Sequence, residues 1–512
     1  MNIMNLNSKI LKLKDLKDLI SKLKKNNKRV ALCHGVFDQL HIGHIHHFNY
    51  AKKYADILVV TITHDKFVNK GPARPIFNFN QRLRMLASLQ AVDFVACNDD
   101  SDAVELLQFL KPNFYIKGPD YKNSNQDITG KIIAEKKAAK KIGCKIIFTD
   151  NEVVFSSSKI INSKYNMLNE NQSKITKLIS KKYSFDKIKE IIDNFKNLKI
   201  LVVGETIIDD YVFCEGLGKS GKESVLTLRK IKSNKFLGGA LAIARHLNSF
   251  CKNVTVLSYL GNKKDYKNYI LSNIEKNINL NFIYKKNSPT ILKKRFLDII
   301  DNRKLLGIYE LNDDRLDSEQ ENQLINKLKT LIPKNDIVLI ADYGHGLISK
   351  KIAKYLSAKS TFITLNAQQN SGNIGFSELK KYSNIDCVVI NATELKHEMR
   401  ERDGDIINLA KKLKDILKCK EIIVTQGRSG LIMINKNNKI YTCPAFAREV
   451  VDKIGAGDAL LSLLSMCKKN KVDDYLSTFL SSLAAAQSVE SIGNSKPLDK
   501  NLILKSVKHM LM

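Results

Sequence analysis

Between Arg29 and Thr149 the chain alternates short apolar runs with stretches whose apolar residues recur every three or four positions. RVALCH, ILVVTIT, DFVAC, NFYIKG and KIIFT read as buried strands, while HIGHIHHFNYAKKY, FNQRLRMLASLQ and AVELLQFL read as helices. Strands that alternate with helices predict an α/β domain with a parallel sheet covered on both faces, here over residues 1–165. Ahead of it, Ile10, Leu11, Leu13, Leu16, Leu19, Ile20 and Leu23 fall at helical spacing and predict an amphipathic helix over Ser8 to Lys25.

Residues 166–197 are polar and Lys-rich, with a single amphipathic stretch, FDKIKEIIDNF, and are expected to form a helical linker. KILVVG opens a second and larger α/β region over residues 198–512, which continues through DIVLIADYG, TFITLN, DCVVINATE and EIIVTQG. No short-period repeat relates the two halves, so they are read as separate units.

A chain of 512 residues with 44% hydrophobic content can bury more than one core. No apolar run approaches the roughly 20 residues of a membrane helix, and MNIMNLNSKILKLK lacks the apolar block of a secretory signal. The expectation is a cytoplasmic protein without a membrane partner. The nine cysteines lie far apart with no CxxC, which predicts reduced structural thiols and no zinc site. The net charge of +32 comes from Lys spread along the whole chain, without basic runs interleaved with aromatics. Nucleic acid is therefore not expected as a partner, whereas anionic substrates would be drawn in faster.

Candidate chemistry concentrates in two places. After the first strand come Gly35-Val36-Phe37-Asp38 and then His41-Ile42-Gly43-His44, which opens a helix. A helix N-terminus behind a buried strand points N–H groups and a positive dipole end at a crevice and suits a triphosphate. His41 and His44, three residues apart, share one helical face and can reach one phosphate, and Gly43 keeps bulk away from it. The adjacent His46 and His47 are read as surface residues. The order of pieces resembles the nucleotidylyltransferase superfamily with the HxGH signature, within it the cytidylyltransferase-like group. Gly35, Phe37 and Asp38 match GxFD, Lys70-Gly71 with Arg74-Pro75 match KGxxRP, and Gln81-Arg82 match the QR element. Lys117-Gly118-Pro119-Asp120-Tyr121 match KGxDY, and Phe155-Ser156-Ser157-Ser158 stand near ISST.

The resemblance implies a Rossmann-like domain in which a substrate phosphate attacks the α-phosphorus of a nucleoside triphosphate and pyrophosphate leaves. It implies catalysis by His41 and His44, nucleotide contacts from Gly35, Phe37, Asp38, Gly43, Lys70, Arg82, Lys117, Gly118, Ser156, Ser157 and Ser158, and acceptor contacts from Asp120 and Tyr121. The tetrapeptide also occurs in class I aminoacyl-tRNA synthetases, but no KMSKS-like partner accompanies it here.

The second place is Asp452-Lys453-Ile454-Gly455-Ala456-Gly457-Asp458, ahead of the apolar helix ALLSLLSM. Glycines at a helix start let backbone N–H groups surround a transferring phosphoryl, and Asp458 stands where it can accept a hydroxyl proton. The second half resembles the ribokinase/PfkB sugar kinases, and a ribokinase-like α/β fold follows. Gly204 and Asp209 fall where GDxxxD reads sugar hydroxyls, Gly238-Gly239 match the GG element, and Asn391 with Glu394 match the NxxE motif associated with magnesium. Thr425 and Gly427, with Gly455, Ala456 and Gly457, would hold the nucleotide. Glu205, Ala242, Asn366 and Lys453 depart from the family pattern, and Lys453 would add a cation near the nucleotide phosphates.

A sugar kinase joined to a nucleotidylyltransferase resembles the bifunctional heptose-7-phosphate kinase and heptose-1-phosphate adenylyltransferase family, with the domains in reversed order. The resemblance implies Mg2+ as cofactor, ATP as substrate and a sugar phosphate as the small-molecule partner, with ADP-heptose for lipopolysaccharide as product. CTP in the first domain, giving a CDP-alcohol or CDP-sugar beside a non-catalytic kinase-like domain, is the alternative. A homodimer is left open.

Overall fold

β1 (Val30–Gly35) sends successive side chains to opposite faces, and both faces are apolar. Ala31 and Cys33 pack with Phe48, Leu83 and Leu86 on one side, while Val30 and Leu32 pack with Leu16, Ile20, Leu107 and Leu110 on the other. A strand buried on both faces belongs inside a parallel sheet flanked by helices. The computed structural model, which describes residues 8–68, 75–118, 131–149, 168–369, 379–447 and 449–511, has this arrangement. β2 (Ile57–Thr63), β3 (Phe94–Asn98), β4 (Phe114–Lys117) and β5 (Lys145–Phe148) join β1 in an all-parallel sheet of order β3-β2-β1-β4-β5. The order reverses between β1 and β4, and the carboxyl ends of these strands are where an open α/β sheet receives ligands.

The opening helix is shorter than its periodicity predicts, running over Leu13–Lys25. Ile10 bridges to Val95 on the edge strand β3, and Leu11 N–H donates to the Val95 carbonyl at 2.9 Å. The free sheet edge satisfies backbone groups that a helix start would leave open.

The chain divides into two compact units, 1–169 with 504–512, and 170–503. The polar segment expected as a linker contributes two helices to the second unit, Glu170–Lys182 and Phe185–Asp193. Their Ile179, Ile188 and Ile192 are buried, and Gln172 Nε2 donates to the Ala445 carbonyl at 2.7 Å. Lys-rich outer faces hid these apolar stripes in the overall composition.

In the second unit β6 (Lys199–Gly204), β9 (Asn253–Gly261), β10 (Asn279–Lys285), β13 (Ile337–Asp342), β14 (Phe362–Ala367), β15 (Cys387–Asn391) and β16 (Glu421–Thr425) run parallel. β17 (Leu431–Ile434) and β18 (Ile440–Cys443) extend the edge antiparallel, giving the order β10-β9-β6-β13-β14-β15-β16-β17-β18. This order reverses between β6 and β13. A four-stranded sheet absent from the sequence reading, β12-β11-β7-β8, comprises β7 (Thr206–Lys219), β8 (Leu226–Gly239), β11 (Ile291–Asp298) and β12 (Lys304–Glu310). All nine cysteines are unpaired, and no helix among the described residues is long and apolar enough to cross a membrane.

Candidate active sites

In the first unit His41 caps the helix Ile42–Lys52, and its Nδ1 accepts the Gly43 N–H at 3.1 Å. That bond leaves the proton of a neutral imidazole on Nε2, which makes Nε2 a donor. The His41 and His44 rings lie 3.9 Å apart, centroid to centroid, so the fold brings the two side chains together. Phe37, with φ +46°, turns its ring into the core, edge-on to His44 at 5.3 Å and 5.2 Å from Phe48. Gly35 faces that ring, where an added Cβ would come within 3.2 Å of it.

Several residues expected to touch nucleotide are framework instead. Asp38 is buried, and its Oδ1 accepts N–H groups of Ile76 and Phe77 at 2.6 and 3.2 Å. Arg82 is 0% exposed: its guanidinium donates to the carbonyls of Phe77, Val36 and Thr63 and pairs with Asp65 at 2.5 Å. It therefore fastens the loop after β1 to the end of β2 and cannot also clamp a phosphate. Phe37 joins the core by the same logic. Lys117, at the end of β4, is buried against Glu135 at 2.8 Å, and Glu135 also accepts from Tyr115 and from the Ala103 N–H. Gly118, next to it, has no atom of the described residues within 4 Å of an added Cβ.

His47, read as a surface residue, is half-buried with Nδ1 3.3 Å from Thr149 Oγ1. Burial, and then Lys117, push its pKa down to about 4, so it is uncharged at neutral pH. Lys70, Asp120, Tyr121, Ser156, Ser157 and Ser158 lie outside the described residues.

In the second unit Gly455, with φ +89°, sits at the start of the helix Ala456–Lys469, and no side chain caps that end. An added Cβ on Gly455 would meet Asn494 Oδ1 at 2.2 Å, whereas Gly457 opens onto free space. Asp458, one turn in, is buried, and its Oδ1 accepts the Tyr343 hydroxyl at 3.0 Å. Burial raises its pKa to about 7, opposed by the Tyr343 bond and aided by the charge of Asp209.

Register brings together the residues around Asp209, which was expected to read sugar hydroxyls. β7 and β11 pair Asp209 with Lys293, and β12 sets Tyr309 opposite Lys293, so these three share one face with Tyr211 and Arg295. Arg295 Nη1 bonds Asp209 Oδ1. Gly238 is required because a Cβ there would lie 2.3 Å from Asp209 Oδ2, and Gly239, with φ +59°, would meet the Glu205 carbonyl at 2.3 Å. Glu205 is buried beneath this, and its carboxylate accepts the N–H groups of Tyr343 at 2.9 Å and His345 at 3.1 Å. Glu205 thereby ties the residue after β6 to the loop after β13. Lys293, Arg295 and Tyr343 were missed in the sequence; the alternation in LKKRF, once read as a strand, places both cations on one face.

Asn391 and Glu394 require a correction. They form a reciprocal capping box on the helix Ala392–Met399: Asn391 Oδ1 accepts the Glu394 N–H at 2.8 Å, and Glu394 Oε2 accepts the Asn391 N–H at 3.1 Å. Glu394 Oε1 takes the Gln369 N–H at 3.3 Å. With both carboxylate oxygens serving backbone donors, the pair does not fit direct magnesium ligation, and no group of three or more His, Cys, Asp or Glu that could hold a metal occurs among the described residues. The spacing N-x-x-E is itself a capping signature. Of the residues expected near the nucleotide, Thr425 ends β16, and Gly427, with φ +57°, has no atom of the described residues within 4 Å of an added Cβ.

A buried carboxylate in the first turn of a glycine-led helix, in a unit that also carries Asp209, Lys293 and Arg295 on one strand face, is the arrangement expected of a ribokinase-type kinase fold. The chain matches the family model described as pfkB family carbohydrate kinase over residues 197–501, more than half its length, and it belongs to that family. Residues 32–163 match the model described as cytidylyltransferase-like. The bifunctional protein HldE of Campylobacter jejuni strain RM1221 is 28% identical over 299 residues, covering 58% of this chain and 62% of that protein. The HldE protein of Aliarcobacter butzleri is 35% identical over 134 residues, covering 26% and 28%. The chain thus spans about three-fifths of the length of the Campylobacter relative. Among solved structures, ribokinase of Thermotoga maritima matches at 20% identity with a TM-score of 0.47, over 60% of this chain and 98% of its own.

Proposed function

We propose that this chain makes a nucleotide-activated sugar in two separate reactions. The observation that carries the reading is the buried pair Tyr343–Asp458 at the glycine-led helix start, on a chain that also carries the His41–His44 pair.

In the second unit Asp458 takes the proton of a sugar hydroxyl, the oxygen attacks the γ-phosphorus of ATP, and ADP leaves. ATP enters as its magnesium complex, and backbone N–H groups at Ala456 and Gly457 receive the charge of the transferring phosphoryl. Asp209, oriented by Arg295, reads sugar hydroxyls, while Lys293 offsets the carboxylate charge around it. In the first unit an oxygen of a sugar 1-phosphate attacks the α-phosphorus of a nucleoside triphosphate, and pyrophosphate leaves. The Nε2–H of His41, fixed by the Nδ1 bond to Gly43, and His44 stabilise the charge that grows on the phosphate oxygens. The motif resemblance and the HldE relatives favour heptose 7-phosphate as kinase substrate and ADP-heptose as final product.

The match to a cytidylyltransferase-like model favours a second reading, in which CTP is the nucleotidyl donor. Mass analysis after incubation of the full chain with heptose 7-phosphate and ATP, and with heptose 1-phosphate and either ATP or CTP, separates the two. A heptose bisphosphate, and ADP-heptose with pyrophosphate, are expected. A CDP-sugar as the dominant product would replace the adenylyl reading, and absence of sugar-dependent ADP release would remove the kinase reading.

A further inference from the structure

His345 and Asp313 belong to no motif in the sequence, and they form a tightly held pair. His345 is about 1% exposed in the loop after β13, two residues beyond Tyr343. Its backbone is pinned three ways: the N–H donates to Glu205 Oε1 at 3.1 Å, and the carbonyl accepts from the Tyr259 hydroxyl at 3.1 Å and from Lys285 Nζ at 3.3 Å. The ring Nδ1 lies 2.6 Å from Asp313 Oδ1.

A carboxylate oxygen accepts, so Nδ1 carries the ring proton, and Nε2 of the neutral imidazole presents a lone pair. Burial, and then the charge of Lys293, hold the imidazole below its ordinary range and keep it neutral. Nε2 is buried and has no hydrogen-bond partner among the described residues. A buried acceptor without a donor is unfavourable, and in a native fold it points to a group that arrives later.

The loop after β13 indicates where that group would sit. It also carries Tyr343, whose hydroxyl donates to Asp458 Oδ1 at 3.0 Å, and the Glu205 carboxylate accepts the N–H groups of both Tyr343 and His345. One short segment thus holds His345 and the residue that bonds Asp458.

We infer that His345, oriented by Asp313, accepts a hydroxyl hydrogen of the sugar whose other hydroxyl Asp458 deprotonates, and thereby helps to select the acceptor. The inference rests on the sugar-kinase reading. A neutral acceptor fixed in a rigid loop recognises a donor hydroxyl and rejects an analogue that lacks it. Steady-state kinetics of the full chain with heptose 7-phosphate and ATP test it. The His345→Leu variant should raise the KM for the sugar about tenfold while leaving the KM for ATP unchanged. His345→Gln, which keeps an acceptor near the Nε2 position, should recover most of that loss, and Asp313→Ala should raise the sugar KM severalfold through loss of ring orientation. Asp313 is partly exposed, so its variant carries the test if His345→Leu does not fold. Sugar KM values unchanged in the variants, a parallel rise in both KM values, or a Gln variant no better than Leu would each overturn the inference while leaving the kinase reading intact. No sugar-dependent ADP release from the unaltered chain would overturn both.

Discussion

Removing the Tyr343 hydroxyl isolates its effect on Asp458, the base proposed for the kinase reaction. Tyr343 is buried and keeps its proton, since burial and the neighbouring carboxylates hold its pKa well above 10. Its O–H donates to Asp458 Oδ1 at 3.0 Å and favours the carboxylate form. Phenylalanine keeps the ring and its packing but not the donor. A hydrogen bond to a charged acceptor is worth about 1.5–3 kcal/mol, and assigning about 1.4 kcal/mol of it to the difference between protonation states corresponds to about one pKa unit. Asp458 would then move from about 7 to about 8. At pH 7 the ionised fraction falls from about one-half to about one-tenth, so kcat/KM for sugar phosphorylation should drop about fivefold. Above about pH 9 both proteins carry an ionised base, and their rates should converge. Measuring kcat/KM of Tyr343→Phe from pH 5.5 to 9.5 therefore gives an ascending limb displaced to alkaline pH. A loss of the same size at every pH would refute this reasoning and leave Tyr343 as packing alone.

Arg82→Ala strands the carbonyls of Val36, Thr63 and Phe77 and the carboxylate of Asp65, which should destabilise the first unit by about 3–5 kcal/mol. Urea unfolding should resolve that loss, and nucleotidyl transfer should disappear while sugar phosphorylation persists; a folded Arg82→Ala protein with full transferase activity would contradict the framework role. Gly455→Ala forces a side chain to φ +89° and against Asn494, so phosphorylation should fall with nucleotidyl transfer unchanged, as assayed by release of ADP and of pyrophosphate. His246 is buried, its Nδ1 accepts the Leu498 N–H at 3.0 Å, and burial pushes its pKa down to about 3. The unfolded chain binds that proton below about 6.5 and the folded one does not, so stability is full above that pH and is lost progressively as pH falls toward 3. The loss should be about 2 kcal/mol between pH 7 and 5, and the His246→Asn variant, which keeps an acceptor for Leu498, should show a correspondingly weaker pH dependence of the urea midpoint.

Two elements show how far the sequence could be read. VALCH and ILVVTIT are apolar without interruption, and only a strand covered on both faces accommodates that, so β1, β2 and the parallel sheet were legible from local pattern. The same holds for KILVVG and IVLIAD at β6 and β13. The sheet β12-β11-β7-β8 was not legible, because LTLRKIKSNKFLGG carries scattered Lys and Arg and becomes a strand by pairing with β7, not by burial of its own residues.

The sites divide along the same line. His41, His44, Gly455 and Asp458 sit at helix starts, where position relative to the backbone follows from a few neighbouring residues, and their order in the sequence determined the two candidate chemistries. The surroundings of Arg82, Glu394, Lys293 and His345 were decided only by tertiary structure. Each depends on which group takes its hydrogen bonds or charge. For Arg82 the carbonyl of Val36 lies 46 positions away, and for His345 the carboxylate of Asp313 lies 32 away. A charged side chain looks the same in a sequence whether it meets a ligand or a buried carbonyl. Desolvation makes the difference, and the fold alone sets which groups lose water together.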